Sequence, residues 1–194
     1  MKFDHIDIKT WFPKPIFRAK DVLTEELPAF EDRIKMLSLE NIGGQREDLV
    51  AVMSWQTINS IHQDPVFADL TEEILLNAKI FLKELGYVHR INTIKIKEMW
   101  ANINREGDFL FPHVHPDSLI SGVFYIKTYP GSKINFFDNL ASMAPQPDIR
   151  NDLNWDLCSY DCNPGEMLMW KSDFVHGTRK QPTGEKIAIS FNLY

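Results

Sequence analysis

The sequence has few cysteines and no long apolar run. Its two cysteines, Cys158 and Cys162, form a single CSYDC pair, and no second pair is present to complete a structural zinc site. We interpret both as reduced thiols of a cytoplasmic protein. No stretch of roughly 18 apolar residues is present, so we expect no membrane-spanning helix and no membrane partner.

Basic clusters are also scarce. The formal net charge is −6, and the longest basic cluster is the pair Arg179 and Lys180. A phosphate-binding surface requires many clustered lysines and arginines, so no nucleic-acid partner is expected. The first twelve residues, MKFDHIDIKTWF, contain several charges and lack the apolar segment of a secretory signal, which again favours a cytoplasmic location.

The chain changes character near residue 90. Apolar residues recur at helical spacing over 18–40, interrupted by Pro28, and more regularly over 64–85, which Gly86 follows. A further helical piece is predicted at 55–61. Beyond residue 91, β-branched and aromatic residues alternate with turn signals, and strands are predicted at 94–103, 119–127, 133–137, 166–170 and 186–193. The pattern indicates one α+β domain, mainly β: a sandwich or barrel with a helical layer packed on it.

Two histidines stand close together in the segment FPHVHPD, residues 111–117. Residues two apart in an extended backbone point to the same side, so His113, His115 and Asp117 would share one face. Imidazole and carboxylate groups are ordinary ligands for iron, zinc, copper or nickel. His176, after a later strand, could supply a third ligand. Spacing alone leaves two alternatives: a metal site, or histidines that are incidental surface or core residues.

The last predicted strand has two different faces. Lys186, Ala188, Ser190 and Asn192 alternate with apolar residues that should pack on the core layer. A face with lysine, serine and asparagine is suited to holding a carboxylate. The alternative is a surface lysine on an edge strand.

These segments resemble the iron(II)/2-oxoglutarate-dependent dioxygenases. ANINREGDFLFPHVH is similar to the prolyl-hydroxylase-type segment in which a glycine-containing turn precedes His-x-Asp; His113 matches the histidine, and His115 stands where the aspartate usually does. PGEMLMW and His176 match the later strand and the distal histidine. Lys186 matches the basic residue that pairs with the distal carboxylate of 2-oxoglutarate, and Ser190 resembles the small hydroxyl residue that follows it.

More closely, HVHPDSLISGVFYIK and the upstream WQTINSIHQDPVFADL resemble an oxygenase family typical of marine bacteria and their phages. This resemblance implies a double-stranded β-helix (jelly-roll, cupin-like) core over 91–194, with a mostly helical support region over 1–90, in a single domain 1–194. It implies that His113, His115 and His176 bind iron(II), and that 2-oxoglutarate and O2 are co-substrates in hydroxylation of a C–H bond of a small molecule or protein side chain.

The strand pattern does not decide whether Tyr125 contacts 2-oxoglutarate. Tyr125 shares strand parity with Ser121 and Val123. If that face lines the barrel, the Tyr125 hydroxyl could hydrogen-bond the co-substrate; otherwise Tyr125 is a sheet-packing aromatic residue.

The chain departs from the family pattern at the metal site. The usual ligands are two histidines and one carboxylate, and a literal His-x-Asp also occurs at His115-Pro116-Asp117, which makes Asp117 the alternative ligand. We prefer His113 with His115, because the register of the preceding turn fits better. An all-histidine set resembles cupin-type dioxygenases that do not use 2-oxoglutarate, whereas Lys186 argues for its use.

Two rival functions follow from the same residues. One is a cupin-like metalloenzyme that does not use 2-oxoglutarate, and the other is a non-enzymatic jelly-roll binding module with incidental histidines. The sequence does not indicate the primary substrate, and an exposed sheet edge could support a homodimer.

Overall fold

A computed structural model describes residues 8–9, 12–48, 52–138 and 147–194. Within these ranges, no helix is both long and apolar enough to cross a membrane. Cys158 is an exposed free thiol and Cys162 a buried one.

Two α-helices lie in the first half of the chain, α1 (Leu27–Leu39) and α2 (Ala68–Glu84). Pro28 lies in the first turn of α1, where the backbone N–H that proline lacks would have no partner within the helix. The helix therefore starts next to Pro28, which was predicted to interrupt it. Gly86 follows α2 with a left-handed φ of 79°, which ends the helix as predicted. Short 3-10 helices span Ile61–Gln63, Pro65–Phe67 and Val88–Arg90.

The described residues form eleven strands. They are β1 (Ile16–Ala19), β2 (Gly43–Asp48), β3 (Val52–Thr57), β4 (Ile96–Asn104), β5 (Phe109–His113), β6 (Ile120–Lys127), β7 (Lys133–Phe137), β8 (Leu157–Asp161), β9 (Met167–Lys171), β10 (His176–Thr178) and β11 (Lys186–Leu193). All pairings between these strands are antiparallel, and they form a larger sheet, β1-β9-β6-β11-β4-β3, and a smaller one, β5-β10-β7-β8. This is the predicted mainly β architecture, a double-stranded β-helix.

Strand β3 connects the two sheets. Its residues 55 and 56 pair with β4 of the larger sheet, and its residues 52 and 53 pair with β5 of the smaller sheet. On its other side, β2 runs antiparallel to it along its whole length. Strand β3 is therefore hydrogen-bonded to both sheets.

The larger sheet is apolar on the side that faces the helices. Both helices bury their apolar stripes there, with Phe30, Ile34 and Leu37 of α1 and Leu70, Ile74, Ala78, Phe81 and Leu82 of α2. They meet the alternate residues of β4, β6, β9 and β11, including Met99, Phe124, Met169 and Phe191. The helices pack on the core as predicted, and the opposite face of the same strands is left to line the space between the sheets.

The first 90 residues contain more strand than the sequence indicated. The helical piece predicted at 55–61 is wrong: β3 occupies Val52–Thr57, and only Ile61–Gln63 forms a short 3-10 helix. Strands β1 and β2 were also not predicted. The physical reason is that β3 is stabilised by pairing with β4 and β5, which lie far along the chain and leave no local pattern.

Candidate metal centre and its cavity

Three histidines meet between the two sheets. His113 ends β5, His115 follows it after one residue, and His176 begins β10. Because β5 and β10 are antiparallel neighbours with His113 opposite His176, strand pairing itself brings two of the rings together. One ring nitrogen from each histidine lies within 4.8 Å of the others, and among the described residues this is the group of side chains that could hold a metal ion.

Backbone carbonyl groups orient two of these rings. The Nδ1 atom of His113 donates to the carbonyl oxygen of Phe111 at 2.7 Å, and that of His176 to the carbonyl oxygen of Phe174 at 2.9 Å. A hydrogen bond from Nδ1 fixes the tautomer and leaves Nε2 with a free lone pair. Both rings are thus prepared to donate Nε2 to a metal.

The third ring is held by side chains instead. His115 Nδ1 lies 3.4 Å from Asn192 Nδ2, and the same amide nitrogen donates to Glu98 Oε2 at 3.1 Å. The Asn192 carbonyl oxygen in turn lies 2.8 Å from the hydroxyl of Ser121. His115 is therefore joined to a carboxylate through one amide group.

Burial keeps two of the rings neutral. Burial, together with the smaller effect of the nearby His113, lowers the pKa of His176 to about 3 and that of His115 to about 4. For His115, Glu98 opposes this shift. A neutral imidazole retains the lone pair that a metal needs, so both rings are competent ligands at neutral pH.

Asp117 lies apart from this group. It is exposed, adopts a left-handed φ of 59°, and its backbone carbonyl lies 3.3 Å from the ammonium of Lys97. Its carboxylate is not within the histidine group. His115, and not Asp117, thus lies close to the other two histidines.

The histidines line a cavity of about 250 Å³. Its wall is formed by the inward face of β4, β6 and β11 and by parts of β3, β5, β9 and β10. Tyr125, Lys186 and Ser190 all line it, as does the row Trp100, Asn102 and Asn104 of β4.

A buried lysine occupies one end of the cavity. Lys186 is 5% exposed, and no hydrogen bond or ion pair of its ammonium is made within the described ranges. Burial lowers its pKa, and the nearby Cys162 and Asp108 raise it. Tyr125 is 2% exposed beside it, and burial raises its pKa, with Cys162 adding to the shift.

Two buried donors at the cavity wall have no hydrogen-bond partner in the described part of the chain. They are Asn104 Nδ2, on β4 directly opposite Lys186, and Trp170 Nε1 on β9. A buried donor without an acceptor costs free energy, so its presence at a cavity wall indicates a ligand that supplies one. Together with the Lys186 ammonium, they suit an anionic ligand with several oxygen atoms.

Ser190 lies further from Lys186 than Asn104 does. It stands four residues along β11, opposite Trp100, and its hydroxyl oxygen accepts from Asn102 Nδ2 at 2.9 Å. The carbonyl oxygen of Asn102 accepts from Gln56 Nε2 at 2.8 Å. These three polar side chains form a row across β3, β4 and β11, and the hydroxyl hydrogen of Ser190 remains available to a ligand.

Several cavity residues were missed by sequence reasoning. Gln56 was missed because β3 was read as helical, although Ser54 and Gln56 do alternate as in a strand. Trp170 was missed because residues 167–170 of β9 are all apolar, so the inward face could not be recognised. Glu98 was missed although its parity with Trp100 could have revealed it.

The residues present fit a divalent metal ion with a dicarboxylate. Three imidazoles suit iron, nickel, copper or zinc and leave open positions for other ligands. A dianion bound beside them could form an ion pair with the Lys186 ammonium and accept hydrogen bonds from Asn104 Nδ2 and Trp170 Nε1. The donor set alone does not select iron, so the comparisons with known proteins decide that point.

Residues 98–192 match the family model described as "Putative 2OG-Fe(II) oxygenase", where 2OG is 2-oxoglutarate. The matched stretch contains the three histidines, Tyr125, Lys186 and Ser190. No curated protein sequence matches the chain.

Solved structures of similar shape cover nearly the whole chain. A Pseudomonas putida prolyl-4-hydroxylase has a TM-score of 0.68 at 12% identity, covering 91% of both chains. A viral collagen prolyl hydroxylase from Paramecium bursaria Chlorella virus-1, solved with 2-oxoglutarate, has a TM-score of 0.61 at 12% identity, covering 92% of this chain and 94% of its own. HygX from Streptomyces hygroscopicus, solved with nickel and 2-oxoglutarate, has 0.61 at 14% identity, with coverages of 93% and 82%.

These structures confirm the predicted double-stranded β-helix fold, and the family match confirms the predicted enzyme class with its cofactors, iron(II) and 2-oxoglutarate. Use of O2 and of a primary substrate follows from that class. Residues 98–192 therefore belong to the iron(II)/2-oxoglutarate-dependent oxygenase family, and the whole chain shares the fold of these enzymes.

Proposed function

We propose that His113, His115 and His176 hold the iron(II) of this oxygenase, and that the chain hydroxylates a C–H bond of a small molecule or protein side chain. When bound, iron with 2-oxoglutarate and O2 supplies the oxidising chemistry, while the protein orients the reactants and excludes water. The observation that carries the proposal is the group of three ring nitrogens within 4.8 Å in a cavity with a buried lysine.

The proposal assigns the buried end of the cavity to 2-oxoglutarate. Lys186 would pair with the distal carboxylate, because its ammonium is desolvated and has no counter-charge in direct contact within the described ranges. The hydroxyls of Tyr125 and Ser190 would donate to the co-substrate oxygens. Asn104 Nδ2 and Trp170 Nε1 would gain the acceptors that they lack.

The walls around the histidines favour exclusion of water. Trp170 and Phe136 pack against His176, with ring centroids 4.6 and 6.2 Å from it, and Phe174 packs on Phe136 at 5.2 Å. Rings in these positions hold the His176 imidazole in place and keep the cavity narrow. Electrostatic contacts to an anion are stronger in such a dry site.

The test is an anaerobic titration with iron(II) and 2-oxoglutarate, followed by the weak metal-to-ligand charge-transfer band in the visible. We expect the band in the wild type and its loss in Lys186→Ala. Stoichiometric metal without the band would favour a cupin-like metalloenzyme that does not use 2-oxoglutarate. No bound metal would contradict both enzyme assignments and favour a binding module.

The second ligand is tested by a matched pair of variants. His115→Ala should abolish iron binding, because it removes one of the three clustered nitrogens. Asp117→Ala should largely retain it, since that carboxylate lies outside the group and is exposed. Iron content after anaerobic loading gives the result, and the reverse pattern would show that Asp117 is the ligand.

A further inference from the structure

The two ends of the cavity carry opposite charge. Along the inward face of β4 and β11, Lys186 lies opposite Asn104 at one end, and Asn192 lies opposite Glu98 at the other. Asn192 lies six residue steps beyond Lys186 along β11, which corresponds to roughly 20 Å. Lys186 is buried, whereas Glu98 is only half-buried. The anionic end is therefore the open one.

Glu98 has no cation bound to it among the described residues. Its Oε2 atom accepts from Asn192 Nδ2 at 3.1 Å, and it forms no ion pair in those ranges. The adjacent Lys97 does not neutralise it, because the Lys97 ammonium lies 3.4 and 3.3 Å from the backbone carbonyls of Pro116 and Asp117. A carboxylate that lines a cavity and accepts only one neutral hydrogen bond is available to a cationic ligand.

An aromatic ring stands beside this carboxylate. Trp100 lies two residues from Glu98 on the same face of β4, is half-buried, and also lines the cavity. Its ring centroid is 5.9 Å from that of His115. Tryptophan provides the strongest cation–π attraction of the aromatic side chains, so a carboxylate with a tryptophan forms a typical setting for a cation.

We propose that the open end of the cavity binds the primary substrate through an ammonium or guanidinium group, paired with Glu98 and lying against Trp100. This inference rests on the proposed function, in which 2-oxoglutarate takes the Lys186 end. The opposite charges direct 2-oxoglutarate and the substrate to different ends of the cavity, because Glu98 repels an anion and Lys186 repels a cation.

The contacts of Asn192 limit the distance between the cationic group of the substrate and the carbon atom that is oxidised. One amide nitrogen, Asn192 Nδ2, lies within 3.4 Å of both Glu98 Oε2 and His115 Nδ1. The charge-pairing atom is thus a close neighbour of a proposed iron ligand. The oxidised C–H bond then lies only a few bonds from the cationic nitrogen, as in a short amine or a basic amino-acid side chain.

The test measures affinities for four probes that each contain a four-carbon chain: butylamine, butylguanidine, 1-butanol and butyrate. Isothermal titration calorimetry is carried out anaerobically on the protein with iron(II) and 2-oxoglutarate added. We expect the two cations to bind at least about tenfold more tightly than the alcohol, and butyrate to bind least.

Two variants locate this preference. Glu98→Gln preserves the shape and can still accept from Asn192, so it should lower cation affinity by about tenfold or more and leave the affinity for 1-butanol unchanged. Glu106→Gln removes the same charge from an exposed position outside the cavity and should change neither.

The results separate this inference from the proposed function. Equal affinity for amine and alcohol, no binding of the amine, or an unchanged preference in Glu98→Gln would overturn the cationic subsite, even if the charge-transfer band forms normally. A Glu98→Gln variant that loses iron while keeping its preference for cations would also overturn it, and would assign Glu98 to the metal centre. Absence of the band with the cation preference intact would contradict the role of 2-oxoglutarate alone.

Discussion

Strand β11 presents two faces with separate tasks. Ile187, Ile189, Phe191 and Leu193 are fully buried against the helix-covered core, whereas Lys186, Ala188, Ser190 and Asn192 face the space between the sheets. Since side chains of a strand alternate, the two sets are separated without any change of backbone. Residues that stabilise the fold and residues that line the cavity therefore lie on opposite sides of the same strands, so each set can be altered with little effect on the other.

The largest expected effect on stability is on the apolar face. Phe191→Ala should lower the free energy of unfolding by about 3–5 kcal/mol, because it opens a cavity in a close-packed core. Ser190→Ala, on the neighbouring position of the other face, should cost about 1 kcal/mol through the lost acceptor for Asn102. Urea denaturation of both variants checks the difference, and equal losses would contradict the division of faces.

Substitutions on the cavity side should change metal affinity more than they change stability. His176→Ala should weaken metal binding by roughly a hundredfold or more, because it removes one of three clustered nitrogens. His89→Ala, at an exposed position away from the cavity, is the matched control and should bind metal as the wild type does. Equilibrium dialysis against iron(II) or cobalt(II) gives both affinities. Wild-type affinity in His176→Ala would remove this histidine from the site.

Gly122 tests how tightly the apolar face is packed. A Cβ atom added there would overlap the ring of Phe191, with the carbonyl oxygen of Leu168 also close. Gly122→Ala should therefore cost about 1–3 kcal/mol of unfolding free energy by overpacking. Thermal denaturation measures the loss, and the double variant with Phe191→Leu should recover part of it. A neutral Gly122→Ala would show that the two layers can separate easily.

The smallest effect concerns Lys186. Burying an ammonium without a paired anion costs free energy, so Lys186→Met should leave the unfolding free energy unchanged or raise it by about 1 kcal/mol in the absence of 2-oxoglutarate. Lys180→Met, an exposed neighbour, should have no effect. Chemical denaturation without added ligand compares them, and a clear destabilisation by Lys186→Met would mean that the lysine serves the fold.

The parts of the fold with a local pattern were predictable from sequence. The alternation along β11 placed Lys186 and Ser190 on one face, and the spacing of His113 and His115 placed both on one side of the chain. The His-rich segment was found because its residues are two apart. Two features could not be predicted because they depend on pairing between distant segments. They are strand β3 with Gln56, and the inward face of β9, whose residues 167–170 are all apolar.

With the metal held as proposed, the pairing of His113 with His176 across β5 and β10 would couple metal binding to folding. These residues are far apart in the sequence, so the unfolded chain holds no assembled site, and a metal ion binds almost entirely to the native state. By thermodynamic linkage, a metal at a hundred times its dissociation constant adds about 2.7 kcal/mol to the free energy of unfolding. A metal held by these histidines would act as a reversible crosslink between the two strands, and the melting temperature would then rise with the concentration of free metal.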